Sequence, residues 1–167
     1  MRKKSPPKKN NFFEVNSHKA GVKVSINSIM MGGLFFILTL IWTNGPAKFN
    51  IFTLIQLIMA IPLLYVSSLA YSKISYSEEV GMWDALGWFT HNIGSVIVLN
   101  AVGLMTISLS RNITLLYFFL LILLMAIYST INMVYNPKEQ GEKIFKFFFF
   151  LLVVIVGGLL PLLFGLG

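Results

Sequence analysis

The sequence predicts an all-α polytopic membrane bundle of five transmembrane helices, with the N-terminus cytoplasmic and the C-terminus outside. Three observations predict it. Five runs free of Asp, Glu, Lys and Arg cover 24–47, 49–72, 85–110, 112–137 and 147–167, and each is 21 to 26 residues long. A membrane helix needs about 20 predominantly apolar residues. Charged residues make up 11% of the chain against 56% apolar, whereas a soluble domain carries roughly 25% charged residues to cover its surface. The charges that exist are collected in the tail and in short gaps, so a soluble bundle lacks the polar outer faces it needs. On length, 167 residues make one domain.

Residues 1–23 hold seven Lys/Arg against Glu14, with Pro6 and Pro7 among them. That composition predicts a basic, disordered cytoplasmic tail. Arg2, Lys3, Lys4, Lys8 and Lys9 are the candidates for attracting anionic lipid headgroups, at about 1 kcal/mol per basic residue near the surface. A nucleic acid is not the expected partner, because no folded basic face or stacking platform accompanies the charge.

The first span is expected over 25–42. Asn27 and Ser28 open it, Gly32 and Gly33 suit close helix packing, and Trp42 suits the far interface. A cleaved signal peptide is the rival reading, but no small-x-small cleavage site follows the apolar run. Asn44-Gly45-Pro46 signals a turn. The second span, over 49–71, is interrupted by Gln56 and by Pro62, which removes a backbone hydrogen bond and should bend the helix. Its last turns hold Tyr65, Ser67, Ser68 and Tyr71.

Loop 72–86 contains Glu78, Glu79 and Asp84. Ser75 or Ser77 as a cap predicts a short interfacial helix here, with Trp83 and Trp88 at headgroup depth. The third span, 87–110, carries His91, Asn92, Ser95, Asn100 and Thr106, which a helix surrounded by lipid would not tolerate without partners. Gly87, Gly94, Ala101 and Ser108 recur every seven residues and form one stripe of small side chains. Together these features place the third span at the centre, with Asn100 making a packing bond to a neighbour.

Ser110-Arg111-Asn112 is so short that spans three and four must form an antiparallel hairpin. The fourth span, 113–135, is apolar until Tyr128, Asn132 and Tyr135, which share one face. The fifth, 147–166, has no hydrogen-bonding side chain. Gly157, Gly158 and Pro161 are its irregularities, and it reads as a peripheral, lipid-facing helix. Eleven of the thirteen Lys/Arg fall on the N-terminal side of this topology. The positive-inside bias makes that side cytoplasmic.

No motif names a reaction. The absence of cysteine removes disulfides, thiolate catalysis and Cys-ligated metals. No phosphate loop, nucleophile elbow or zinc-binding helix is present. The sequence gives no reason to expect a metal or a cofactor. The one constellation is polar and lies at the cytoplasmic ends of the spans: His91, Asn92 and Ser95, with Tyr65 and Ser68, and with Tyr128 and Asn132. These groups either hydrogen-bond across helices or line a cytoplasm-facing cavity.

The expected function is that of a non-catalytic integral membrane protein, a subunit, assembly factor or lipid-organising component. One alternative is a small transporter or channel-like protein using a polar cavity around His91. Another is a membrane-embedded enzyme acting on a lipid headgroup, with Asp84 as general base and His91 as its orienter. The expected partners are the bilayer and its anionic headgroups, with a homo-oligomer or a membrane-protein partner. The expected location is the plasma membrane of a prokaryote.

Overall fold

The computed structural model describes residues 17–45, 49–76, 81–135 and 140–165. Among these the chain is helical and contains no strand. Helix α1 spans Ser17–Asn44, α2 Ile51–Tyr76, α3 Gly81–Met105, α4 Arg111–Tyr135 and α5 Gln140–Val154. A 3-10 turn, Thr106–Ser108, extends α3; a π turn, Ile155–Leu159, joins α5 to the short α6, Leu160–Leu163. Five helical stretches are long and apolar enough to cross a membrane. The protein is therefore read as an integral membrane bundle.

Local chemistry sets the helix ends. Gly45 takes φ +91°, a left-handed conformation that glycine adopts without a Cβ penalty, and stops α1. Asn50 starts α2: its side-chain oxygen accepts from the Phe52 amide at 2.7 Å. Ser110 does the same for α4, accepting from the Asn112 amide at 3.2 Å. Across that tight hairpin the Thr106 and Thr114 hydroxyls bond at 2.9 Å. Pro62 lies inside a continuous α2.

Four of the helices extend five to eight residues beyond the expected spans, and all do so at one end of the bundle. There α1 begins at 17 rather than 25, α2 ends at 76 rather than 71, α3 begins at 81 rather than 87, and α5 begins at 140 rather than 147. Ser17–Lys23, read as tail, thus belongs to α1, while residues 1–16, including Arg2, Lys3, Lys4, Lys8 and Lys9, lie outside the described residues. The interfacial helix expected in loop 72–86 is instead shared between α2 and α3. Ser75 sits in the last turns of α2 and donates to the Tyr71 carbonyl at 3.1 Å, so it caps nothing. Ser77, Glu78 and Glu79 lie outside the described residues.

α3 joins the two halves of the bundle. On one side Ala101 packs with Leu34 and Ile41 of α1 and with Leu57, Ala60 and Leu64 of α2. On the other, Val96 and Leu104 pack with Phe118 of α4, Val154 of α5 and Leu162 of α6. Gly87 and Gly94 make the α2 contact close. A Cβ at Gly87 would stand 3.0 Å from the Tyr71 ring, and one at Gly94 3.1 Å from Leu64. In a membrane such contacts hold helices by dispersion, since burying apolar surface away from lipid brings little. The outward faces are accordingly large and apolar, as at Phe36, Phe119 and Leu124.

Three packing expectations are corrected. Ser108 leaves the small-residue stripe because the helix tightens to a 3-10 turn at Thr106, and its side chain is exposed. Gly32 and Gly33 face outward, with nothing within 4 Å of where a Cβ would stand. The fifth span is not peripheral: Val154, Gly158, Pro161 and Leu162 are buried, and Gly158 lies against Phe118 and Asn100.

Candidate functional site: a lysine-lined cavity at one end of the bundle

The end of the bundle where the helices overrun is held by a chain of polar contacts. Asn27 of α1 is fully buried and is its hub. Its Nδ2 donates to Ser67 Oγ at 3.0 Å and approaches the Leu64 carbonyl at 3.4 Å. Ser67 Oγ in turn donates to the Gly87 carbonyl at 3.1 Å. Those bonds orient the Asn27 amide, so its Oδ1 is the acceptor for His91 Nδ1 at 2.7 Å. His91 therefore carries its proton on Nδ1, leaving Nε2 as the ring's acceptor. Each of these bonds crosses between helices, which is how membrane bundles use Asn, Ser and His.

Lys23 adds a charge to this layer. Its Nζ donates to the Tyr71 hydroxyl at 2.7 Å and lies 4.7 Å from the Tyr71 ring centre. Tyr71 meets the His91 ring edge-on, with centroids 6.1 Å apart. The buried Asp84 carboxylate acts electrostatically on both Lys23 and Tyr71.

Beside this layer a cavity of about 310 Å³ opens between α1, α3, α4 and α5. Trp88, His91 and Asn92 line it from α3. Met125, Tyr128, Ser129 and Asn132 line it from α4, at i, i+3, i+4 and i+7. α5 contributes Lys143, Lys146, Phe147 and Phe150 with the same spacing, and Lys23 comes from α1. Three lysines thus converge on one small cavity. Lys143 is buried and its Nζ donates to the Asn132 carbonyl at 2.9 Å. Lys146 pairs with Glu142 and lies 5.6 Å from the Trp88 ring centre. Trp88 completes an aromatic wall with Phe145 and Phe149, at 6.4 and 5.5 Å.

The depth of the mouth follows from the helix register. Lys143 is the fourth residue of α5 and Asn132 the fourth from the end of α4. At about 1.5 Å per residue both lie within about 5 Å of a helix end, where headgroups replace hydrocarbon. Deeper in, Val96, Leu104, Phe118 and Val154 of these same helices close on one another. The cavity is consequently cationic at its mouth and apolar beneath.

Of the residues expected at this site, His91, Asn92, Tyr128 and Asn132 lie together on the cavity. Tyr65 does not join them; it points outward and is exposed. Ser68 turns back to the Leu64 carbonyl at 2.9 Å. Ser95 approaches Met30 Sδ at 3.7 Å, on the α1 side of α3. Asp84 is buried and is not part of the cavity lining, while the Nδ1 of His91 is bonded to Asn27. Trp88 is buried in the bundle and Trp83 is exposed.

Sequence reasoning missed the lysines. Lys143 and Lys146 fall in the gap between the fourth and fifth charge-free runs, because charge delimits the expected spans. Their spacing with Phe147 and Phe150 is the signal that could have found them, since it places all four on one helical face. Among the described residues no group of acidic, His or Cys side chains is arranged to hold a metal. Comparison with protein-family models, with curated proteins and with solved structures found no match.

Proposed function

We propose that this chain is a non-catalytic, lipid-organising membrane protein that holds the headgroup of an anionic lipid in the cavity beneath Lys23, Lys143 and Lys146. The convergence of three lysines on one cavity near the helix ends carries the reading. Lysine serves as a compact point charge for phosphate. Glu142 offsets part of that charge through Lys146, leaving the cavity net positive. Asn92 and Tyr128 add donors for phosphate or glycerol oxygens. Met125, Phe147 and Phe150 offer an apolar wall to the first carbons of an acyl chain, which a free phosphate would not use.

The volume sits at the small end of the range for ligand sites, suited to a headgroup and not to a whole lipid. Binding is favoured over passage because the apolar cluster around Phe118 closes the same helices below the cavity. The basic N-terminal segment gives a second, looser attraction for the same lipids, as polybasic segments do. With the lysine-rich end cytoplasmic by the positive-inside bias, the lipid would belong to the inner leaflet of a cell membrane.

The test uses the full chain in nanodiscs of mixed phosphatidylcholine and phosphatidylglycerol. Native mass spectrometry should find phosphatidylglycerol retained after phosphatidylcholine is stripped. At about 1 kcal/mol per basic residue, Lys143→Gln with Lys146→Gln should weaken retention roughly 30-fold. Lys146→Gln alone should weaken it about 5-fold. Replacing Lys3, Lys4, Lys8 and Lys9 by Gln should leave the retained lipid in place. Equal retention of both lipids, or loss only in the tail variant, would overturn the reading.

A further inference from the structure

The opposite half of the bundle holds a second polar cluster, built around the break in the fifth span. Pro161 has no backbone N–H and so cannot serve the Gly157 carbonyl four residues before it. The chain widens to a π turn over Ile155–Leu159 just ahead of it. Gln56 of α2 supplies the missing donor, its Nε2 reaching the Gly157 carbonyl at 2.6 Å. Asn100 of α3 donates from Nδ2 to the Val153 carbonyl at 3.0 Å. The approach requires glycine, because a Cβ at Gly157 would stand 2.4 Å from Asn100 Nδ2.

Both amide nitrogens are therefore engaged by the backbone of the fifth span, at and just before the π turn. Their oxygens are not engaged. Gln56 Oε1 and Asn100 Oδ1 are buried without a hydrogen-bond partner, as is Thr53 Oγ1 one turn from Gln56 on the same face of α2. The three residues are 7%, 0% and 2% exposed, respectively for Gln56, Asn100 and Thr53. The two amides are neighbours: both nitrogens lie within 4 Å of the point a Gly157 Cβ would occupy. Orphaned polar groups are expensive where water cannot reach them, and three of them on two neighbouring helices need an explanation.

The chemistry of the cluster narrows the explanation. Every unpartnered atom is an oxygen, and the set contains no carboxylate. The Thr53 hydroxyl can donate as well as accept, so a bridging water is the competing occupant that the test below separates from an ion. A divalent ion would lose its hydration to neutral ligands alone, which such ions do reluctantly. A monovalent cation matches neutral oxygens, as carbonyl-lined ion sites show. Helices broken within the membrane recur at such sites, because the break frees polar backbone for the ion. Access is short as well: Thr53, Gln56, Asn100 and Gly157 each lie within about 10 Å of a helix end on that side, counting about 1.5 Å per residue.

We propose that Thr53, Gln56 and Asn100, arranged about the π turn of the fifth span, form a binding site for a monovalent alkali cation of sodium size. The site is separate from the lysine cavity, and its test does not depend on lipid. The purified full chain is unfolded thermally in NaCl, LiCl, KCl, CaCl2 and choline chloride at matched ionic strength. Radiolabelled sodium binding is measured in parallel. Na+ should raise Tm by about 5–11 °C over choline at a concentration about 100-fold above Kd. Labelled sodium should bind saturably at one site per chain.

Thr53→Val keeps the side chain's shape and leaves both amides bonded to the fifth span. It should weaken sodium binding about 10-fold while the variant still folds in choline chloride. Asn100→Leu should abolish the sodium-specific shift, and its failure to fold would leave the Thr53→Val and direct-binding results to decide. Equal Tm in sodium and choline with no saturable sodium binding would overturn the site and assign the oxygens to bridging water. So would a shift produced by Ca2+ and not by Na+. Sodium binding unaltered in Thr53→Val would place the ion elsewhere and refute the assignment.

Discussion

Gly158→Ala tests how the fifth span docks against the rest of the bundle. A Cβ at Gly158 would stand 2.3 Å from Phe118 Cε1 and 2.6 Å from Phe118 Cζ, and 3.0 Å from Asn100 Oδ1. Ordinary carbon contacts are about 3.5–4.0 Å. The ring must retreat by more than 1 Å, and it has little room, because Phe118 is fully buried among Val96, Leu104 and Val154. Overpacking of this kind costs about 1–3 kcal/mol. The size of the overlap argues for the upper part of that range. Alanine returns about 1 kcal/mol through its helix propensity. The net loss is about 1–2 kcal/mol, which for a chain of this length lowers Tm by roughly 2–8 °C.

The control is Gly33→Ala on α1, where nothing lies within 4 Å of the new methyl. There only the propensity gain remains, and Tm should hold or rise slightly. Thermal unfolding in mild detergent, followed by far-UV circular dichroism, reads both. Phe118→Leu removes the colliding ring atoms, so Gly158→Ala should lose most of its cost in that background. The two residues should thus couple in a double-mutant cycle. If Gly158→Ala is as stable as Gly33→Ala, or adds to Phe118→Leu without coupling, the fifth span does not pack on α4 through this contact.

Three further outcomes are expected. In a cycle of Asn27→Ala and Ser67→Ala, unfolding should give a coupling of about 0.6 kcal/mol, the mean for interhelical hydrogen bonds in a membrane; additive effects would mean that the 3.0 Å contact contributes nothing. Tyr117→Phe deletes the bond from its hydroxyl to the Leu99 carbonyl, 3.0 Å long, and should cost about 0.5–1.5 kcal/mol with the ring packing intact; an unchanged Tm would refute that bond's role. The chain has no cysteine, so Lys73→Cys and Leu109→Cys provide single labels at opposite ends of the bundle. An impermeant maleimide applied to one face of sealed vesicles should label only one of them, residue 73 from the cytoplasmic face; labelling of both from one face would break the five-span topology.

What could be read from the chain alone were the properties of single helices. Hydropathy is summed along one segment, so the five spans follow from composition and length, with ends at 42, 49 and 113 that the structure moves by only two residues. Polar content and the seven-residue spacing of Gly87, Gly94 and Ala101 are likewise carried by one helix, and they place α3 between the two apolar clusters. The expected spans stop short at the lysine end for a physical reason. Charge marks the edge of the hydrocarbon, not the end of the helix, and helices continue into the headgroup layer with their lysines attached.

The two polar sites were decided by tertiary structure. Each is assembled from several helices whose relative rotation no single segment records. His91 was legible as a polar residue with a partner to find. That the partner is Asn27, 64 positions earlier, depends on how α1 and α3 turn toward each other. The fifth span, with no hydrogen-bonding side chain of its own, reads as a lipid-facing helix. It is drawn inward because Pro161 and the π turn leave its backbone needing donors, and Gln56, 101 positions away from Gly157, is a buried amide that supplies one. Sequence determined which segments enter the membrane, because that is settled by each helix against its solvent. Structure decided which faces meet, because that is settled by helix against helix, where small residues set the distance and polar groups choose the rotation.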